Sequence, residues 1–74
     1  MAYRLAYPFP MPPTRSQLQP GLTVDIIQKQ DQRTGQLTRG VIAQLLTSSA
    51  SHPHGIKVRL TTGEVGRVQT LVPA

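Results

Sequence analysis

The stretch 56–60, which reads IKVRL, decides the fold class of this chain. Its three apolar residues alternate with Lys57 and Arg59, and successive side chains of a β-strand point to opposite faces of a sheet. The apolar residues are therefore expected in a core, and the two basic residues on an outer surface. This clean alternation predicts a half-buried β-strand.

Three further segments complete the strand pattern. Residues 22–26 alternate apolar and polar side chains, as a half-buried strand does. Residues 37–46 would also suit two turns of helix, but the β-branched start of VIAQLL and Gly40 favour a strand with a bulge at that glycine. The TTGE hairpin turn then returns the chain into a last strand over 64–72, in which Gly66 is expected to form a second bulge.

Four or five short strands separated by glycine-containing turns predict an all-β fold, a small SH3-like or KOW-like barrel. An open curved sheet is the alternative. Residues 1–19 hold four of the seven prolines and every aromatic residue, and predict a disordered Pro-rich N-terminal arm. Residues 20–74 are the predicted barrel domain. In the arm, PMPPTR fits a PxxPxR ligand pattern, but such hexamers are common in Pro-rich tails and a plain disordered tail is the preferred interpretation.

Charge and composition limit the class of partner. Eight Lys or Arg oppose three Asp or Glu, which gives a net charge of +5 and a pI near 10.9. Such a balance favours a polyanion such as RNA. The chain has no cysteine, which excludes disulfides and thiolate metal sites and fits a cytoplasmic protein. No apolar run approaches the roughly 20 residues of a membrane span, so no membrane association is expected.

The basic residues form the first candidate site. Lys57 and Arg59 share one strand face, and the hairpin should bring Arg67 near them. Residues so placed contact phosphates without reading sequence; the alternative is a solvated face that protects a sheet edge. Without Phe, Tyr or Trp in the domain, base stacking is not expected unless the arm contributes. The predicted nucleic-acid-binding residues are Lys29, Arg33, Arg39, Lys57, Arg59 and Arg67.

The loops DQRTG and SHPHG form the second candidate site. Asp31 could orient Arg33 through a charge-assisted hydrogen bond, or could cap a self-contained turn. His52 and His54 offer only two ligand nitrogens, so we expect a Pro-containing loop whose glycine launches the next strand, with no metal, cofactor or catalytic role. The residues predicted to make loop contacts are Asp31, Gln32, Thr34, His52 and His54.

With these motifs described, the segment from Pro20 to about Leu71 resembles the small bacterial YwbE-like family. The matching elements are PGLTVDIIQKQDQRTGQLTRG, LLTSSASHPHGIKVRL and GEVGRV. The family is described as uncharacterised, so the resemblance implies no activity, cofactor or catalytic residue. The glycine-bounded strands are also similar to the KOW and SH3-like barrels of ribosomal and transcription-associated proteins, an analogy of fold alone.

These observations predict a non-enzymatic binding module that docks on RNA or ribonucleoprotein through phosphate contacts. The alternative is a protein-protein interaction adaptor that uses the two loops and the Pro-rich arm. No cofactor and no small-molecule substrate are expected in either case.

Overall fold

The computed structural model describes residues 12–73, so residues 1–11 of the arm predicted over 1–19 lie outside the described range. Four antiparallel strands close into a barrel in chain order; they are β1 (Thr23–Gln28), β2 (Thr38–Leu45), β3 (Lys57–Leu60) and β4 (Val65–Leu71). Single turns of 3-10 helix precede β1 and follow it. The all-β barrel is confirmed, and the open-sheet alternative is wrong. The 3-10 turns are Arg15–Gln17 and Lys29–Asp31.

The core lies inside the barrel and is aliphatic. Alternation along the strands turns one face of each strand inward, as predicted for 56–60. Burying a side chain of this size contributes roughly 1.5–3 kcal/mol, so this cluster supplies the stability that disulfides provide in other small domains. The buried core residues are Leu18, Val24, Ile26, Ile42, Ile56, Val58, Leu60 and Val68.

Residues 12–19, which the sequence pattern assigns to the arm, are part of the folded unit. Leu18 is only 5% exposed and packs in the core. Arg15, the last residue of the PMPPTR motif, donates from Nε to the Thr47 carbonyl at 2.9 Å. The folded unit therefore begins before the predicted boundary at Pro20. A single apolar side chain that enters the core outside a strand leaves no periodic signal.

Gly40 and Gly66 lie in regular strand pairs rather than in bulges. Both are needed for close packing. A Cβ at Gly40 would lie 2.6 Å from Leu60 Cδ1, and one at Gly66 would lie 2.5 Å from the Ile27 carbonyl oxygen. The predicted bulges at these glycines are wrong, because the missing side chain makes room for a neighbour instead of relaxing the backbone.

The strand register shifts elsewhere, at Ala43 in β2 and at Gln69 in β4. Each is an extra residue opposite its partner strand, which is the definition of a β-bulge. After the bulge in β4, neither Gln69 nor Thr70 is buried. Gln69 is thereby added to the outer surface that carries the candidate site.

Candidate nucleic-acid interface

Two open grooves lie next to each other on the outer surface of the barrel and share Ile27, Gln32 and Arg67. We call them the histidine groove, with a volume of about 450 Å³, and the lysine groove, of about 440 Å³. The histidine groove is also lined by His52, Pro53, His54 and Gln69. The lysine groove is also lined by Lys29, Gln30, Lys57, Val65 and Gly66.

Strand register places Lys57 opposite Arg67. The neighbouring pair is hydrogen-bonded, because the Val68 N–H donates to the Ile56 carbonyl at 2.9 Å. Since hydrogen-bonded and non-hydrogen-bonded pairs alternate in an antiparallel ladder, Lys57 and Arg67 form a non-hydrogen-bonded pair, in which facing side chains are closest. Two positive charges therefore project from the same spot on the barrel.

The Arg67 guanidinium is held in place. Its Nη1 donates to the Gly55 carbonyl at 3.1 Å. In the next outward position, Gln69 Nε2 donates to the His54 carbonyl at 3.0 Å. These bonds tie the loop before β3 to β4. Arg67 uses one of its five N–H donors in this way, so it can be positioned and still bind a ligand.

Gly55 shapes the histidine-containing loop. Its N–H donates to the His52 carbonyl at 2.9 Å, which closes a turn over Pro53 and His54. Its φ of +102° lies in the region that favours glycine, and a Cβ there would lie 2.2 Å from the Val68 carbonyl oxygen. Gly55 thus ends the loop and directs the chain into β3, as the sequence predicted.

The two imidazoles are neighbours with a defined relationship. His52 Nδ1 accepts a hydrogen bond from the His54 backbone N–H at 3.0 Å, and the ring centroids are 5.7 Å apart. Partial burial lowers the pKa of His52, and electrostatic interaction with the neighbouring Arg67 and His54 side chains lowers it further. Since Nδ1 accepts the hydrogen bond from His54, the ring proton of His52 lies on Nε2. Within residues 12–73, no three His, Cys, Asp or Glu side chains group as metal ligands.

Arg39 lies apart from both grooves and is paired with an acid. Its Nε and Nη2 donate to the two carboxylate oxygens of Asp25 at 2.9 and 3.0 Å. The Arg39 hydrogen bond lowers the pKa of Asp25 against the opposing effect of burial, with help from the Arg39 charge and Thr70. Arg39 therefore stabilises the β1–β2 side of the barrel, and its charge is largely neutralised there.

The DQRTG loop closes on its own backbone. The Asp31 carbonyl accepts from the N–H groups of Thr34 and Gly35 at 3.2 and 2.8 Å. Among the hydrogen bonds of residues 12–73 there is none between Asp31 and Arg33. The geometry is that of the self-contained turn, although the carbonyl and not the carboxylate makes it. Of the predicted contacts in this loop, Gln32 alone lines the grooves.

The remaining predicted basic residues, Arg59 and Arg33, are not among the lining residues of either groove. Arg59 is opposite Val65 and donates to Gln44 Oε1, so it borders the lysine groove. Arg33 is exposed and lines neither groove. Two groove residues could not be identified from the sequence. Ile27 follows the core residue Ile26 and was not expected at a surface site. Gln69 reaches the surface because of the bulge in β4.

No acidic side chain lines either groove within the described part of the chain. Asp25 is occupied by Arg39. Glu64 accepts a hydrogen bond from the Thr62 hydroxyl near the β3–β4 turn, which lowers its pKa. The positive potential around Lys57 and Arg67 is therefore not cancelled by a carboxylate in the grooves.

Fold and site together define a small all-β barrel protein with a cationic pair of grooves. The model of the family described as "Uncharacterized conserved protein (DUF2196)" matches residues 12–71, and the chain belongs to this family. It is 55% identical over 58 residues to "Uncharacterized protein YwbE" of Bacillus subtilis (strain 168). The matched segment covers 78% of this chain and 89% of that relative. The resemblance to the YwbE-like family is thus confirmed. No solved structure matches the chain.

The family match begins at residue 12. This agrees with a folded unit that includes Leu18 in its core. Across the described residues, no helix has the length and hydropathy of a membrane span.

Proposed function

We propose that this protein is a non-enzymatic module that binds RNA or ribonucleoprotein through backbone phosphates in the lysine groove. One observation supports the proposal most strongly: Lys57 on β3 lies directly opposite Arg67 on β4, and Lys29 lines the same groove. RNA and ribonucleoprotein are abundant in the cytoplasm, and a cytoplasmic location is part of the proposal.

The energetics of this pair support an anionic ligand. Like charges directly opposite each other on neighbouring strands destabilise a sheet, by up to about 1 kcal/mol. An anion placed between Lys57 and Arg67 would remove that cost and form charge-assisted hydrogen bonds with both. The barrel thus holds two cations together before any ligand arrives, which reduces the cost of ordering them on binding.

A phosphate chain fits better than an isolated carboxylate. Arg59 follows Lys57 on the same face of β3, so cations continue beyond the groove. The chain has a net charge of +5, which draws a polyanion toward the barrel as a whole. Lys and Arg side chains on this surface would contact successive phosphates without reading bases.

The test is the affinity for a structured RNA measured over a series of salt concentrations. Binding through phosphates predicts that log K falls linearly with log salt concentration, with a slope set by the number of contacts. If no RNA binds, or if affinity does not change with salt, the proposal is wrong.

A protein-interaction adaptor is the second candidate. It is favoured because the DQRTG and SHPHG loops contribute to one surface: Gln32 from the first and His52 from the second line the histidine groove. Co-purification with and without nuclease separates the two functions. A bound protein that stays after nuclease treatment favours the adaptor, and one that leaves favours RNA.

A further inference from the structure

We infer that the two grooves together bind one unpaired nucleotide, with its base in the histidine groove and its phosphate in the lysine groove. This inference rests on the proposed function and names the kind of RNA that the site takes: a single-stranded segment rather than a duplex backbone.

The lining of the histidine groove suits a nucleobase. Ile27 and Pro53 offer apolar surface, and His52 and His54 add two flat rings. Unpaired RNA bases stack on histidine as well as on Phe, Tyr and Trp. The domain lacks the larger aromatic residues, and the two imidazoles supply the flat surface that the sequence pattern did not predict.

The polar groups of the groove suit the edge of a base. Gln32 carries both donors and an acceptor in one amide. His52 presents its Nε2 proton, because Nδ1 is already engaged by the His54 backbone. Base edges display donors and acceptors side by side, so neutral groups of both kinds bind them better than a cluster of cations would.

Arg67 connects the two halves of the site. It lines both grooves, and its bond to the Gly55 carbonyl fixes it between the histidine loop and Lys57. A ligand with an anionic group joined to a flat polar ring would contact Arg67 at the point where the two parts meet. Each groove has a volume in the range of roughly 300–1,000 Å³ typical of ligand sites.

A paired strand cannot satisfy this arrangement. In an A-form duplex the bases are stacked inside, and side chains cannot read the deep, narrow major groove. The histidine groove would then stay empty, and only the lysine groove would contribute. The site therefore predicts a preference for unpaired RNA that phosphate contacts alone do not produce.

The test measures fluorescence anisotropy with a short unstructured RNA and with the same strand annealed to its complement. The site variant is the double substitution His54→Ala and Gln32→Ala, since neither side chain makes a hydrogen bond within residues 12–73. The control is Gln36→Ala, an exposed glutamine of the same connection that lines neither groove. The thermal midpoint of each variant verifies that it is folded.

We expect the single strand to bind more tightly than the duplex. The double variant should lose about tenfold or more in single-strand affinity, the scale of one lost stacking contact, with the salt slope unchanged because every lysine and arginine stays in place. His54→Phe, which keeps a flat ring, should retain the preference, and Gln36→Ala should behave as the original chain.

Equal affinity for both RNAs, or a double variant with undiminished single-strand affinity, would overturn the inference. If that binding still weakened with salt, the phosphate-binding proposal would stand without it. If neither RNA bound at all, both would be wrong.

Discussion

Lys57 and Arg67 face each other as a non-hydrogen-bonded pair between β3 and β4, so the barrel holds two like charges at close range. Because this repulsion opposes folding, Lys57→Gln should leave the barrel equally or slightly more stable, by a few tenths of a kcal/mol at low salt. RNA affinity should fall in the same variant. A residue kept at a cost in stability is typical of a binding site.

Urea unfolding at low and high salt measures this effect. Salt screens exposed charges, so the gain from Lys57→Gln should shrink as salt rises. Arg33→Gln is the control, since Arg33 is exposed, lies outside both grooves and is not opposite a like charge in the sheet. A clear loss of stability in Lys57→Gln would show that the pair is not repulsive.

Replacing Asp25 and replacing Arg39 should lower the free energy of unfolding by different amounts, although the two residues form one ion pair. The Asp25 side chain is 11% exposed, whereas that of Arg39 is 64% exposed. Arg39→Gln leaves a buried carboxylate without its partner and should cost about 1–3 kcal/mol in the free energy of unfolding. Asp25→Asn leaves an arginine that water can solvate, so it should cost less. Equal losses in urea unfolding would contradict this asymmetry.

The same ion pair predicts how stability depends on acid. Because Arg39 lowers the pKa of Asp25 in the folded chain below the ordinary 3.8, the unfolded chain binds this proton more readily. The stabilisation is then fully present above the unfolded value and is lost as the pH falls through the folded one. Urea midpoints measured from neutral to acid pH should fall, and Asp25→Asn should fall less steeply. Parallel curves for the two proteins would refute the assignment to Asp25.

Gly55 and Gly63 allow a comparison of backbone strain with crowding. Both have positive φ, of +102° and +103°. A Cβ at Gly63 meets nothing within 4 Å, whereas one at Gly55 would collide with the Val68 carbonyl. Gly63→Ala should therefore cost about 1–2 kcal/mol for the conformation alone, and Gly55→Ala should cost clearly more because β4 must also move. Thermal unfolding of both variants measures the difference, and a similar shift in both midpoints would argue against the close contact.

The strand pattern could be predicted from the sequence because alternation is a local signal. The apolar residues of 56–60 are buried as their spacing requires, and Lys57 lies outside. Leu18 could not be placed, since it enters the core from a segment without periodicity. The bulge at Gln69 was equally hidden, because it depends on the register of two strands distant in the chain.

The site was partly predictable for the same reason. Alternation indicated Lys57 and its neighbours, but charge alone could not separate Arg67, in the groove, from Arg39, which is paired with Asp25. That distinction depends on which strands lie side by side. The meeting of His52 and Gln32 in one groove likewise follows from closure of the barrel and has no local signal.

The most direct test of phosphate binding in the lysine groove compares two double variants that carry the same net charge. Lys29→Gln with Lys57→Gln removes cations from the groove, and Arg15→Gln with Arg33→Gln removes cations outside it. The measurement is the slope of log K against log salt concentration for a structured RNA. We expect the groove variant to lose about two units of slope, one per phosphate contact, and the other variant to keep nearly all of it. Equal slopes in the two variants would contradict the assignment of RNA binding to this groove.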